Sequence, residues 1–243
     1  MGQAASKASL DAKVAIITGA SQGIGAGLVA GFRRAGYCVV GNSRSIESVE
    51  EPDYVTVAAD IAEAESARSV VDRALERFGR VDSLVNNAGI FIDRPFTDYT
   101  PADYRAITGV NLTGFFHMTQ AAIPHMVTRG SGHVVNITTS IVDRASSQRP
   151  SALVALTKGG LAAVTRSLAV EYAARGVRVN AVAPGIIRNP VYDAASYEGL
   201  AALEPLGRLG AIGDVVEAIL YLERATFVTG EILHVDGGQS AGS

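Results

Sequence analysis

A chain that runs Val14-Ala-Ile-Ile-Thr-Gly-Ala-Ser-Gln-Gly-Ile-Gly25 has few folds open to it. Val14 to Ile17 are four apolar residues in a row, the pattern of a parallel strand buried on both faces. A turn of small residues follows, and Gly27-Leu-Val-Ala-Gly-Phe-Arg-Arg then carries the apolar period of a helix. Strand, glycine turn and helix in that order aim free backbone N–H groups and the positive end of a helix at one point, which suits a phosphate. Gly19, Gly23 and Gly25 stand where a side chain would block the tight turn, the approach of a pyrophosphate, or helix–strand packing. Taken alone, the same turn also serves as a plain strand-to-helix connection, so the rest of the chain has to decide.

The remaining segments repeat the alternation. Strands are expected at Tyr37–Gly41, Asp53–Ala59, Val81–Val85, His133–Ile137, Val177–Ala183 and within Phe227–Val235. Helices are expected over Ala62–Phe78, over Pro101–Arg129 with an interruption at Gly109–Gly114, from the region of Lys158 to Ala174, and over Asp214–Glu223. Strands alternating with helices predict an α/β fold: a Rossmann-type, doubly wound parallel sheet of about seven strands with helices on both faces. The 243 residues fit a single domain spanning 1–243, with 1–12 a frayed leader. Met1 to Ser6 match an N-myristoylation pattern, which is read here as part of that solvated leader.

Composition removes several classes of function. The net charge is -3, from 21 Lys+Arg against 24 Asp+Glu, with no dense basic tract, so nucleic acid is not an expected partner. No apolar run is read as reaching membrane-spanning length and no secretory signal is recognised, so a cytoplasmic protein without a membrane partner is expected. The single cysteine, Cys38, rules out an internal disulfide framework and reads as a small buried hydrophobe. The four histidines, His117, His125, His133 and His234, lack metal-ligand spacing, and no metal is expected.

After the second strand the chain reads Gly41-Asn42-Ser43-Arg44-Ser45, without the carboxylate that would bond a ribose 2′-hydroxyl and select NAD. Ser43 and Arg44 can instead donate to a 2′-phosphate, so NADP(H) is expected over NAD(H). The alternative for Arg44 is an ordinary solvated loop arginine. Asp60 reads as a cap for the following helix. Asn86-Asn87-Ala88-Gly89 closes the fourth strand with residues that let the backbone pass close beneath a ligand. Asn111, set among apolar neighbours in a helix, requires partners.

These motifs, in this order, resemble the short-chain dehydrogenase/reductase family, in particular its 3-oxoacyl-(acyl-carrier-protein) reductase-like members. The wide spacing Thr18-Gly19-x-x-x-Gly23-Ile24-Gly25, then Asp60, Asn86-Asn-Ala-Gly89, Asn111, Ser140, Lys158, Pro184-Gly185 and Val235-Asp-Gly-Gly238 carry the likeness. It implies that Gly19, Ser21, Gln22, Gly23, Ile24 and Gly25 line a cofactor loop. Gln22 stands where many NADP-preferring relatives have a second basic residue. Asp60 and the amide of Ile61 would bond an adenine, and Asn87, Ala88 and Gly89 would lie along a ribose. Asn111 would bind a water leading to the catalytic Lys158, which also bonds the nicotinamide ribose. Ser140 would orient the substrate, with Thr139 as the alternative. Pro184, Gly185 and Ile187 would cover the nicotinamide, and Asn189 takes the place of a cofactor-bonding threonine. Residues 188–210 would form a substrate lid, in which Tyr192, Tyr197, Leu203, Asp193 and Glu204 name no substrate. The final strand would contact a neighbouring subunit, giving a homotetramer.

One position departs. The family pairs a tyrosine with a lysine four residues later, on one helix face, where the ammonium lowers the pKa of the phenol that protonates the substrate. Four residues before Lys158 stands Val154, and no tyrosine lies between Ser140 and Lys158. Ser151, behind Pro150, reads as a helix start. Tyr99, Tyr104, Tyr192 and Tyr197 lie in segments that border the substrate in relatives, and nothing selects one of them. The resemblance therefore implies an NADP-dependent oxidoreductase acting on a small carbonyl or alcohol, with an altered proton path. Two other readings stay open: an inactive cofactor-binding sensor or assembly protein, and a non-redox dehydratase or epimerase.

Overall fold

The computed structural model describes residues 12–145, 149–188, 197–201 and 204–242. Seven parallel strands form one sheet in the order β3-β2-β1-β4-β5-β6-β7. They are β1 (Val14–Thr18), β2 (Cys38–Ser43), β3 (Tyr54–Ala58), β4 (Ser83–Asn86), β5 (Gly132–Ile137), β6 (Val177–Pro184) and β7 (Ile232–Val235). The order reverses between β1 and β4, so the loops after these two strands diverge and leave a crevice at their carboxyl ends.

The run Val14–Ile17 serves two layers at once. Val14 and Ile16 join an apolar cluster on one face with Val70 and Val71 of α2 (Ala64–Phe78) and Met118 and Met126 of α4 (Phe115–Arg129). Ala15 and Ile17 join a second cluster on the other face with Leu28 and Phe32 of α1 (Gly23–Arg34) and with Val215 and Ile219 from the C-terminal helix. Successive side chains alternate across a strand, so an unbroken apolar run is what a strand between two helical layers requires.

Between α2 and α4 lies α3 (Pro101–Thr108), opened by a Thr100–Asp103 capping box. The expected interruption after it is a π-helical turn, Gly109–Gly114, with Asn111 buried inside. The remaining helices are α5 (Ala152–Ala173), α6 (Tyr197–Ala201) and α7 (Ile212–Arg224).

Several boundaries differ from expectation, two of them for local reasons visible in the hydrogen bonds. α2 starts at Ala64 rather than Ala62, because the Asp60 carboxylate accepts the Ala62 amide at 3.0 Å and holds a turn there first. The final strand is confined to Ile232–Val235. Ahead of it, the Thr229–Glu231 segment is joined to β6 by alternating backbone bonds (Gly230 to Val179, Ala181 to Glu231) and side-chain bonds from Thr229 and Asn180, not by a continuous backbone ladder. Contrary to the reading that no apolar run is long enough, α5 has the length and composition to cross a membrane. Its apolar content has another use here, since Leu153, Val154, Leu161, Ala162 and Ala169 are buried against the protein itself.

Candidate active site

The glycine loop is shaped by contact with the turn after β4. A Cβ on Gly25 would stand 1.9 Å from the Gly19 carbonyl oxygen, and one on Gly19, at φ +66°, would stand 2.9 Å from the Ala88 Cα. Thr18 fastens the two turns together: its hydroxyl donates to the Val85 carbonyl and accepts the amides of Asn87 and Ala88 at 3.1 and 3.0 Å. The Asn87 side chain returns the contact, donating to the carbonyls of Thr18 and Gly19. The loop is thus held open without side chains in its floor, a cradle for a group that binds through backbone N–H.

This cradle opens into a cleft of about 490 Å³ along the carboxyl ends of the strands. Its walls include Gly19, Ser21, Gln22, Gly23, Ile24, Gly25, Ser43, Arg44, Asp60, Ile61, Asn87, Ala88, Gly89, Lys158, Pro184, Gly185 and Ile187, the residues expected at the cofactor from the sequence. Asn189 lies outside the described residues, as do Tyr192, Asp193 and Leu203 of the expected lid. The cleft also takes in Asn42, Ile90, Phe91, Val110, Ile137 and Ile212, which sequence reasoning did not single out. Only adjacency to a motif could have pointed to most of these.

At one end of the cleft, Ser21 donates to Ser43 at 3.1 Å, and Arg44 is exposed with no partner among the described residues. Asn42 is buried and spends its amide on the carbonyls of Val57 and Ala59, which ties β2 to the end of β3. The Asp60 carboxylate accepts the Ala62 amide in a turn ahead of α2, whose N-cap is Glu63, so Asp60 does not cap the helix as expected.

At the other end stands Lys158, with its Nζ donating to the Ile137 carbonyl at 2.7 Å. Burial pushes its pKa down to about 8, because an ammonium loses hydration there. Asn111 is fully engaged by protein groups: Oδ1 accepts the Ile90 amide at 2.9 Å, and Nδ2 donates to the Ile90 carbonyl and the Thr157 hydroxyl, both at 3.2 Å. The π turn therefore braces the segment that carries Gly89 and Ile90 against α5.

The three hydroxyls after β5 point in different directions. Thr138 donates to the Val182 carbonyl. Thr139 borders the cleft. Ser140 is buried at the start of a short 3₁₀ turn, donates to the Gln239 side chain and is absent from the cleft wall, so of the two candidates the geometry exposes Thr139 to the cleft. The 3₁₀ turn rotates Ser140 toward the C-terminal segment, which a run of hydroxyls in a sequence does not reveal.

Val154 is 1% exposed and lies in the cleft wall one turn before Lys158. Among the described residues no tyrosine lines the cleft. The Tyr99 hydroxyl donates to the Ile92 carbonyl, and Ser151 donates to the Arg149 carbonyl at the start of α5.

Comparison with known proteins places these features. A family model described as enoyl-(acyl carrier protein) reductase matches residues 19–240. The putative ketoacyl reductase 2 of the granaticin polyketide synthase of Streptomyces violaceoruber is 42% identical over 94% of this chain and 96% of that protein. The structure of ElxO with NADP bound superposes with a TM-score of 0.88 at 30% identity, covering 95% of this chain and 100% of that one. The 3-ketoacyl-(acyl-carrier-protein) reductase of Brucella melitensis complexed with NADH does so with a TM-score of 0.86 at 34% identity, covering 96% and 100%.

Proposed function

The chain belongs to the short-chain dehydrogenase/reductase family, and from that membership we propose that it is an NADP-dependent oxidoreductase acting on a small carbonyl or alcohol substrate, with an atypical proton path at Val154. The observation that carries this reading is the continuity of one cleft, from the glycine cradle with Arg44, exposed and without a partner among the described residues, to the buried ammonium of Lys158. A protein built only to hold a nucleotide has no need of a lysine desolvated at the far end. A nicotinamide cofactor bound here supplies, or takes up, hydride.

The amides of the loop from Gly19 to Gly25 receive the pyrophosphate, and Asp60 with Ile61 borders the adenine end. Ser21, Ser43 and Arg44 meet the ribose 2′-position with donors and no carboxylate, which favours a 2′-phosphate. Lys158 reaches the nicotinamide ribose, Pro184, Gly185 and Ile187 cover the ring, and Thr139 offers a hydroxyl to the substrate oxygen. Ile90, Phe91, Val110 and Val154 present apolar surface to the same cleft. The ketoacyl reductases among its relatives favour reduction as the working direction.

Cofactor choice is tested by fluorescence titration. NADPH should bind more tightly than NADH, and Arg44→Ala should lose most of that preference, by about tenfold or more, for one charge-assisted contact worth roughly 1.5–3 kcal/mol. Equal affinities in the wild type would refute the NADP reading.

We further propose a cytoplasmic homotetramer. β7 is an edge strand, with Leu233 and Val235 only half-buried, and Phe227 ahead of it is fully exposed. Unpaired edges and exposed large apolar groups are surfaces that proteins cover. Light scattering at micromolar concentration should give four times the chain mass, and a monomer would overturn the assignment.

A further inference from the structure

Reduction of a carbonyl needs a proton for its oxygen, and position 154 has none to give. Among the described residues, the groups around that end of the cleft narrow the choice. Thr138 has spent its hydroxyl on Val182, and Asn111 is bonded on both sides. Ser140 is buried against Gln239. Thr139 remains, but an aliphatic hydroxyl is a far weaker acid than an ammonium. On the basis of the function proposed above, we propose that Lys158 is itself the proton donor to the substrate oxygen, and not only an aid to a phenol that this chain lacks.

The geometry supports the role. Lys158 and Val154 lie four residues apart on one face of α5, about 6 Å along the axis, and both border the cleft. The valine leaves free the volume a phenol ring would fill, so a substrate oxygen can come nearer to Nζ. One N–H of the ammonium is held by the Ile137 carbonyl, and the other two have no partner among the described residues. The opposite wall makes way for Nζ: a Cβ on Gly89 would stand 3.0 Å from it.

The step balances with one named co-reactant. The carbonyl carbon gains hydride from the reduced nicotinamide, which is thereby oxidised, while the C=O π bond opens onto oxygen. That oxygen takes the proton as one N–H bond of Lys158 breaks, leaving a neutral amine that takes up a replacement proton from the bulk solvent before the next turnover. Burial alone lowers the pKa of Lys158, to about 8. The charged groups in the same walls, Arg44 and Asp60, do not contribute to that shift, and among the described residues no carboxylate holds the proton in place. A donor with that pKa is charged at neutral pH and gives up its proton readily, as a general acid must.

The chain has three lysines, Lys7, Lys13 and Lys158, so the titration can be read without turnover. In the whole protein carrying ε-¹³C-lysine, without cofactor, one resonance should titrate near pH 8, and Lys158→Met should remove it. In turnover with NADPH on a ketone panel, kcat/KM should be level at low pH. Above about pH 8 it should fall tenfold per unit, and alcohol oxidation should rise through the same range. Lys158→Arg keeps a charge that holds the proton, so it should bind NADPH yet turn over ~10²–10⁴-fold more slowly, without the fall at pH 8. If Lys158→Arg melts early, Lys158→Met serves, with its melting temperature and NADPH binding as controls. A Lys158 resonance titrating near 10, a level pH profile in an active wild type, or an alkaline fall that survives in the arginine variant each overturns the donor role and leaves the oxidoreductase reading standing. A wild type that binds NADPH and turns over no ketone overturns both.

Discussion

Val154→Tyr should raise NADPH-dependent ketone reduction by ~10²-fold or more, the usual worth of a positioned general acid. The gain is expected because the surroundings are already in place. Lys158 lies four residues on, its ammonium free to lower the pKa of a neighbouring phenol, and Thr139 borders the same space. Val154 itself is buried in the cleft wall, so the new ring must enter the cleft and not solvent. If Lys158 is the donor in the wild type, the new phenol takes over that duty, and the alkaline fall of reduction should move to the pKa of the phenol. The comparison requires that the variant bind NADPH and keep its melting temperature. A folded, cofactor-binding variant with no gain on a broad ketone panel would mean that the space at residue 154 is not a reductase site short of its acid. The sensor and non-redox readings would then lead.

How much of this was legible beforehand follows from the range of the interactions involved. The run Val14–Ile17 and the glycines after it announce a buried parallel strand and a phosphate cradle, because a local pattern of residue types is enough to recognise each even though their packing partners lie far along the chain. The cofactor-side residues followed from that start and from the family resemblance, and each described one borders the same cleft. Position 154 could be questioned from spacing alone, since i and i+4 share a helix face wherever the helix goes. What escaped depends on contacts distant in sequence. The turn that carries Ser140 to Gln239 is stabilised by a partner ninety-nine positions away, and nothing local in Thr138-Thr139-Ser140 says which hydroxyl will face the cleft. Asn111 was rightly flagged as a polar group needing partners, but those partners, Ile90 and Thr157, come from a loop and from α5. The length of α5 was missed because its opening segment from Ala152 carries no motif, so the helix was expected to begin only near Lys158 and no apolar run looked long enough to span a membrane.

The second large effect lies at the opposite end of the sheet, among the amino ends of the strands. Glu223, at the end of α7, is buried and accepts from His133 Nδ1 at 2.9 Å, from the Ser83 hydroxyl at 2.8 Å and from the Tyr37 hydroxyl at 3.3 Å. The tautomer of His133 is set by its other side. Asn180 accepts the Glu231 amide through Oδ1, so its Nδ2 is left to donate to the Val228 carbonyl and to His133 Nε2, which must carry no proton. His133 is therefore a neutral ring, and burial holds its pKa below the ordinary value even with Glu223 beside it. The Glu223 carboxylate stays ionised, with its pKa below the ordinary value, because His133, Ser83 and the Arg178 guanidinium favour the charge against the cost of burial. Glu223→Ala leaves these donors without an acceptor and should cost about 3–5 kcal/mol, or roughly 10 °C in Tm. Glu223→Gln should cost less, because the Ser83 hydroxyl can rotate to accept. The pH dependence has a definite sign. The unfolded chain takes up a proton at His133 near pH 6.5, while the folded chain resists, so stability is complete above about pH 6.5 and falls below it by up to ~1.4 kcal/mol per pH unit. The contribution of Glu223 has the same sign and is lost at lower pH, below its unfolded value of about 4.3. His133→Gln, followed by urea unfolding from pH 7 to pH 5, should flatten the first part of that slope. An unchanged slope in the variant would show that His133 is protonated in the folded state and that the tautomer set by Asn180 is wrong.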